Sequence, residues 1–123
     1  MNTETVTRQP VHPFIDSDRV EDTPVVDANG AKIGTIDRLV IEKVSGRVAY
    51  AIMSFGGFLG LGEKTRRVPW NALHYNPHFE SYQLDRTADE IGSAPDDEEG
   101  ERWSREREKA LHDHYRVPPY WGV

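Results

Sequence analysis

The chain has 123 residues, 37% of them hydrophobic and 29% charged, with a formal net charge of −6. That length is most economically one domain. The lack of cysteine excludes disulfides and thiolate metal sites, and no apolar run is long enough to span a bilayer. The charge is unevenly spread: residues 1–18 carry −2, residues 19–91 carry −1 and residues 92–123 carry −3. Nucleic acid calls for a concentrated basic face, and the only basic cluster is Lys64, Arg66 and Arg67. General nucleic-acid binding is therefore not expected. The polar N-terminus has no apolar centre of the secretory kind, so a cytoplasmic protein is expected.

Residues 1–18 contain two prolines and little periodicity and read as a flexible, extended arm. Order is expected from about Val20. "TPVVDANGAKIGTI" has the form of a strand, a tight turn at Ala28-Asn29-Gly30 and a second strand. The following "AKIGTIDRLVIEKV" is too long for a straight strand, and Gly34 is the expected bend or bulge. Ser45-Gly46 supplies the turn of the best-marked hairpin. In its returning strand one face carries Val48, Tyr50, Ile52 and Ser54, and the other carries Ala49, Ala51, Met53 and Phe55. Alternation fails at Leu39-Val40-Ile41, which predicts burial on both sides, with a dimer contact covering the outer one.

"SFGGFLGLGEKTRRVPW" resembles a phosphate-wrapping loop at first sight. Glu63 intrudes before Lys64-Thr65, however, and Pro69 bars the helix whose amides such a loop needs. Gly56, Gly57, Gly60 and Gly62 read instead as backbone hinges. Phe58, Leu59 and Leu61 are costly if left wet and are expected to meet protein. "KTRRVP" then reads as a strand, "WNAL" as one helical turn at a corner, and "HYNP" and "ESYQL" as the last two strands around Asn76-Pro77. "TADEI" reads as a closing helical turn. Five or six short strands with this punctuation predict a mainly β fold, a small antiparallel barrel over residues 19–91.

Residues 92–100 form an acidic linker with four consecutive acids. A helix is expected over 101–116, with acids early and bases late as the helix dipole favours. Leu111 and Tyr115 share one face, and Trp103 lies near the same stripe, so the helix is expected to dock on something. Residues 117–123 form an aromatic tail in which Pro118-Pro119 pre-extends Tyr120 and Trp121. The favoured reading packs this tail on its own barrel or on a dimer mate, and the sharper one makes it a ligand for another protein.

His74/His78 and His112/His114 do not have metal-site spacing in their expected contexts and read as solvated side chains. No nucleophile–base or paired-carboxylate motif stands out, so neither catalysis nor a cofactor is expected.

"VVDANGAKIGTI" and "DRLVIEKVSGRVAYAIMSFGGFLGLGEKTRRVPWNAL" together resemble the PRC-barrel domain, the module of the photosynthetic reaction-centre H subunit and of the C-terminal half of a ribosome maturation factor. The glycine hairpin, the glycine loop and Val68-Pro69-Trp70 recur in that order over about residues 19–91. The resemblance implies a six-stranded barrel that acts as an interaction module, often paired, without catalytic residues. By analogy it also raises roles in RNA processing, through Arg66 and Arg67, and in photosynthetic electron transport. The membrane helix of the H subunit and the second domain of the maturation factor have no counterpart here. "HYRVPPYWGV" is similar to tails of bacterial stand-alone members. The expectation is a homodimeric interaction module, with small-ligand sensing as the alternative. The candidate contact residues are Phe58, Leu59, Leu61, Arg66, Arg67, Trp70, Trp103, Leu111, Tyr115, Tyr120 and Trp121.

Overall fold

Six strands follow the turn punctuation of the sequence: β1 (Pro24–Val26), β2 (Lys32–Ile41), β3 (Val48–Gly56), β4 (Glu63–Pro69), β5 (His74–Asn76) and β6 (Ser81–Gln83). Among the described residues three short or medium helices accompany them: α1 (Ser17–Val20), α2 (Ala88–Gly92) and α3 (Arg105–Tyr115). The computed structural model describes residues 13–56, 63–95 and 104–122.

The turns form for local reasons. Asp27 accepts the Asn29 and Ala31 amides on one carboxylate oxygen, while Gly30 takes φ +85°, a left-handed value that other side chains resist. At the next hairpin Gly46 sits at φ +78°, and Glu42 and Arg47 close the backbone between β2 and β3.

Strand order is β4-β3-β2-β1-β6-β5. Every pairing is antiparallel except β1 with β6, where Val25 faces Tyr82 and Val26 faces Gln83 in parallel. The sheet is thus mixed, a departure from the purely antiparallel expectation. β4 and β5 stand at opposite ends of this order, yet a single 3-10 turn, Trp70–Ala72, joins them. The five residue steps from Pro69 to His74 reach at most about 18 Å, whereas the ends of a flat six-stranded sheet lie about 24 Å apart. The sheet must curl to let the chain cross, and the last hairpin enters from the far side with β6 running along β1.

Curling requires irregularities, and they cluster along the pairings of β2. Gly34 lies beside the first, where pairing passes from Val25↔Gly34 to Val26↔Lys32. A Cβ at Gly34 would lie 2.4 Å from the Ser54 carbonyl oxygen and 2.6 Å from Met53 Cε, so the residue is needed for close approach. A second bulge, not foreseen, leaves Asp37 between the pairs Ile36↔Met53 and Arg38↔Ile52, and its carboxylate accepts the Ser54 hydroxyl. A third, between the pairs Val40↔Tyr50 and Ile41↔Val48, leaves its extra residue, Ala49, on β3. These slips explain the broken alternation at Leu39-Val40-Ile41. Leu39 and Val40 are half-buried and Ile41 is exposed, rather than all being buried on both sides.

β3 is buried from Ala49 to Phe55 on both faces. One face joins Ile36, Val68, Leu84 and Ile91 in the core. On the other, Ile52 stands in register between Arg38 and Arg67, whose aliphatic stems share its face. Tyr50 on that same face lies beneath α3. The helix is part of the domain, because Leu111 and Tyr115 belong to the same core cluster as the strands.

Thr87 caps α2 through a reciprocal box: its hydroxyl accepts the Glu90 amide and the Glu90 carboxylate accepts the Thr87 amide. α3 starts at Arg105, later than the expected 101, because Ser104 is extended and its hydroxyl caps the Arg107 amide. The short helix α1 crosses the expected end of the N-terminal arm and inserts Val20, 3% exposed, into the core.

Candidate interaction site

Helix α3 meets the sheet through one polar cluster. Glu108 is 4% exposed, and its Oε1 accepts the Tyr50 hydroxyl at 2.7 Å and the Tyr120 hydroxyl at 2.8 Å. The Arg105 guanidinium lies 3.7 Å from the other carboxylate oxygen. A carboxylate that deep in protein is tolerable only when compensated, and two tyrosine hydroxyls donate to it while Arg105 adds a nearby positive charge. Burial, followed by the bond to Glu108, raises the ionisation of both phenols above the usual tyrosine range. Both therefore stay protonated as donors near neutral pH.

His112, one turn after Glu108, is 2% exposed and donates from Nδ1 to the Glu108 carbonyl at 2.7 Å. Its ring packs against Tyr50, Tyr120 and Trp121. His114 donates from Nε2 to the Glu90 carbonyl at 2.6 Å, which helps satisfy the end of α2. The expectation of solvated histidines is thus corrected at both positions. Among the described residues no group of three or more His, Asp or Glu side chains is placed to hold a metal ion.

The aromatic tail folds back onto its own domain. Asn71 Nδ2 donates to the Pro118 carbonyl at 3.0 Å, and Arg47 Nη1 donates to the Tyr120 carbonyl at 3.1 Å. The Tyr120 ring meets Tyr50 edge-on at 5.8 Å, and the Arg105 guanidinium lies 3.9 Å from the Trp121 ring centroid. Leu111 and Tyr115, on the same helix as Glu108, belong to the main core at 2% and 0% exposure. Burial pushes the Tyr115 phenol up to about 12, and its hydroxyl has no hydrogen-bond partner among the described residues.

Arg66 and Arg67 do not form one basic patch, because adjacent strand positions face opposite ways. Arg66 pairs with Met53, lies 5.8 Å from the Phe55 ring centroid and donates to the Gly92 carbonyl. Arg67 pairs with Ile52 and lies 5.3 Å from the Tyr50 ring centroid. Trp70 is half-buried at the corner and packs on Tyr82 at 5.2 Å. Phe58, Leu59, Leu61 and Trp103 lie outside the described residues. Lys64 and Thr65 stand within β4, so no helix opens there to receive a phosphate.

Of the sequence candidates, the structure gathers Leu111, Tyr115, Tyr120 and Trp121, and it adds Tyr50, Glu108 and His112. The added residues carried a readable signal: positions 108, 111, 112 and 115 follow the i, i+3, i+4, i+7 rhythm of a buried helix face. A polar glutamate and histidine in that rhythm mask it.

Two other surfaces stand out. A groove of about 690 Å³ runs between Phe14, Ile15 and Arg19 on one side and Tyr75, Pro77 and Tyr82 on the other. At the β2–β3 hairpin, Ile41 is 51% and Val44 98% exposed. No helix among the described residues is long and apolar enough to cross a membrane.

A curled, mixed six-stranded sheet with its ends joined at a corner defines a small β-barrel class of domain. The chain belongs to the PRC-barrel domain family, whose profile matches residues 13–91. A search of curated proteins finds no match.

Proposed function

We propose that the chain is a non-enzymatic protein-interaction and assembly module that works in the cytoplasm as a homodimer. The observation that supports this reading is the outer side of the β2–β3 hairpin. Ile41 at the end of β2 and Val44 in the turn after it are exposed there, a short apolar strip at the hairpin's end. Water contact at such a strip costs free energy that a second copy would recover. Light scattering at 10–100 μM (an order-of-magnitude range) tests it. A dimer in the unchanged chain and a monomer in Ile41→Glu/Val44→Glu are expected, and a monomeric unchanged chain at the top concentration would refute it.

The groove beside Phe14, Tyr75 and Tyr82 favours a second reading, small-ligand sensing. Its 690 Å³ is within the size range of ligand sites, and aromatic walls there accompany Arg19, Asp16 and Glu80. A thermal-shift screen with one or more hits that Tyr75→Ala removes would support this reading, and a screen without hits would discard it.

A further inference from the structure

The contacts that hold residues 117–122 are those of a bound peptide. The segment lies past the end of α3, where Arg116 adopts φ 55° and the Val117 amide bonds back to the His112 carbonyl. That left-handed cap ends the helix and sends the segment back across the sheet. What fixes it is recognition. Two backbone carbonyls, of Pro118 and Tyr120, are read by the exposed side chains Asn71 and Arg47. These donors come from two separate corners of the sheet. One aromatic anchor, Tyr120, is half-buried with its ring on Tyr50 and its hydroxyl on buried Glu108. A second ring, Trp121, lies between His112 and Arg105.

Most of this receptor is built independently of the segment. Glu108 is held by Tyr50, and His112 by its own helix, so the slot stays formed when Tyr120 leaves. The hydroxyl place on Glu108, the two carbonyl donors and the ring faces that Tyr120 and Trp121 cover on Tyr50, His112 and Arg105 fall vacant. A preformed slot with a prolyl segment already extended for it is an economical peptide-binding mode, since little entropy is lost on docking.

We propose that the slot between β3 and α3 is a peptide-recognition site for a Pro-Pro-Tyr-Trp segment of a partner protein, and that the chain's own residues 117–122, which turn into a 3-10 turn at Tyr120–Gly122 instead of staying extended, occupy it in competition. This deepens the interaction-module reading and rests on it, but it uses a different surface from the hairpin strip, so dimerisation and peptide binding can fail separately. The hydroxyl-to-carboxylate bond selects tyrosine over phenylalanine at the anchor, and the two donors fix the backbone at the Pro118 and Tyr120 carbonyls.

Occupation in cis sets the expected numbers. A short tether gives an effective concentration on the order of 1 mM, and a peptide of this size with one anchor binds at roughly 50 μM, so the intact chain should bind a competitor about 20-fold more weakly than an emptied site does. The test uses the full chain and the synthetic peptide Val-Pro-Pro-Tyr-Trp-Gly-Val with a fluorescent label, read by anisotropy. Tyr120→Ala/Trp121→Ala, which empties the slot, is expected to bind at least about 10-fold more tightly than the intact chain. Adding Glu108→Gln should then remove about 10-fold in affinity, as should a peptide with phenylalanine for its tyrosine. Should the emptied chain melt without a cooperative transition, Tyr120→Phe replaces it, with a smaller gain of the same sign. Equal affinities for intact and emptied chains, or indifference to the peptide's tyrosine hydroxyl, would overturn the proposal.

Discussion

Replacing Tyr50 by phenylalanine isolates the bond between sheet and helix. The substitution keeps the ring of a side chain that is 1% exposed and removes only the hydroxyl 2.7 Å from Glu108. Glu108 then retains Tyr120 and Arg105, and it loses the one donor that comes from the sheet itself. A hydrogen bond to a charged, buried acceptor contributes about 1.5–3 kcal/mol. For a domain of this size that is a fall in Tm of roughly 6–12 °C. Urea denaturation followed by circular dichroism should show the midpoint falling with its slope unchanged. A double-mutant cycle sharpens the assignment. In a Glu108→Gln background the same Tyr50→Phe change removes only a neutral bond, so its cost should drop to about 1 kcal/mol or less. A Tm loss below about 1 °C for Tyr50→Phe, or strictly additive effects in the cycle, would refute the claim that this bond docks α3.

Other substitutions test the rest of the core. Tyr115→Phe removes a buried hydroxyl that has no partner among the described residues, so it should leave stability within about 0.5 kcal/mol or raise it. A loss above about 1 kcal/mol in thermal denaturation would show that the hydroxyl is engaged. Gly34→Ala places a methyl group against the Ser54 backbone, where no side-chain shift relieves it, and should cost about 2–3 kcal/mol by the same measurement, whereas an unchanged Tm would mean that β2 and β3 can part freely. The Glu90 carboxyl is held below the usual carboxylate range, chiefly by the Thr87 amide and further by Arg116. Its contribution is present above a pH of about 4.5 and disappears as pH falls through the lowered value. Thr87→Pro removes the amide that chiefly lowers it, so the Glu90 titration followed by NMR should move upward, and an unmoved titration would argue against the cap.

Much of the architecture was legible because turns are local chemistry. Asn29-Gly30 and Ser45-Gly46 announce positive φ wherever they occur, and Pro69-Trp70 announces a corner. The bulge at Asp37 was not legible, because it depends on how β3 lies alongside, and Asp37 differs in no local way from a surface aspartate. The parallel meeting of β1 and β6 was hidden for a related reason: direction is fixed by where the corner delivers the last hairpin. At the candidate site the obstacle was different. Hydropathy counts Glu108 and His112 as solvent-facing, yet Tyr50 lies under the helix to receive one and pack the other. The partner that makes a buried carboxylate tolerable was 58 residues away in the chain.

The β1–β6 pairing has a consequence for how the polypeptide is made. Val25 leaves the ribosome long before Tyr82, its parallel neighbour. At a translation rate of roughly 5–20 residues per second, the exposed edge of the first strand waits several seconds for that neighbour. The β2–β3–β4 meander can assemble in the meantime from contacts close in sequence, leaving the seam to close last. Nascent chains from which Ser81 has not yet emerged should accordingly present a ready edge to chaperones or to one another, and the emergence of β6 should remove that hazard.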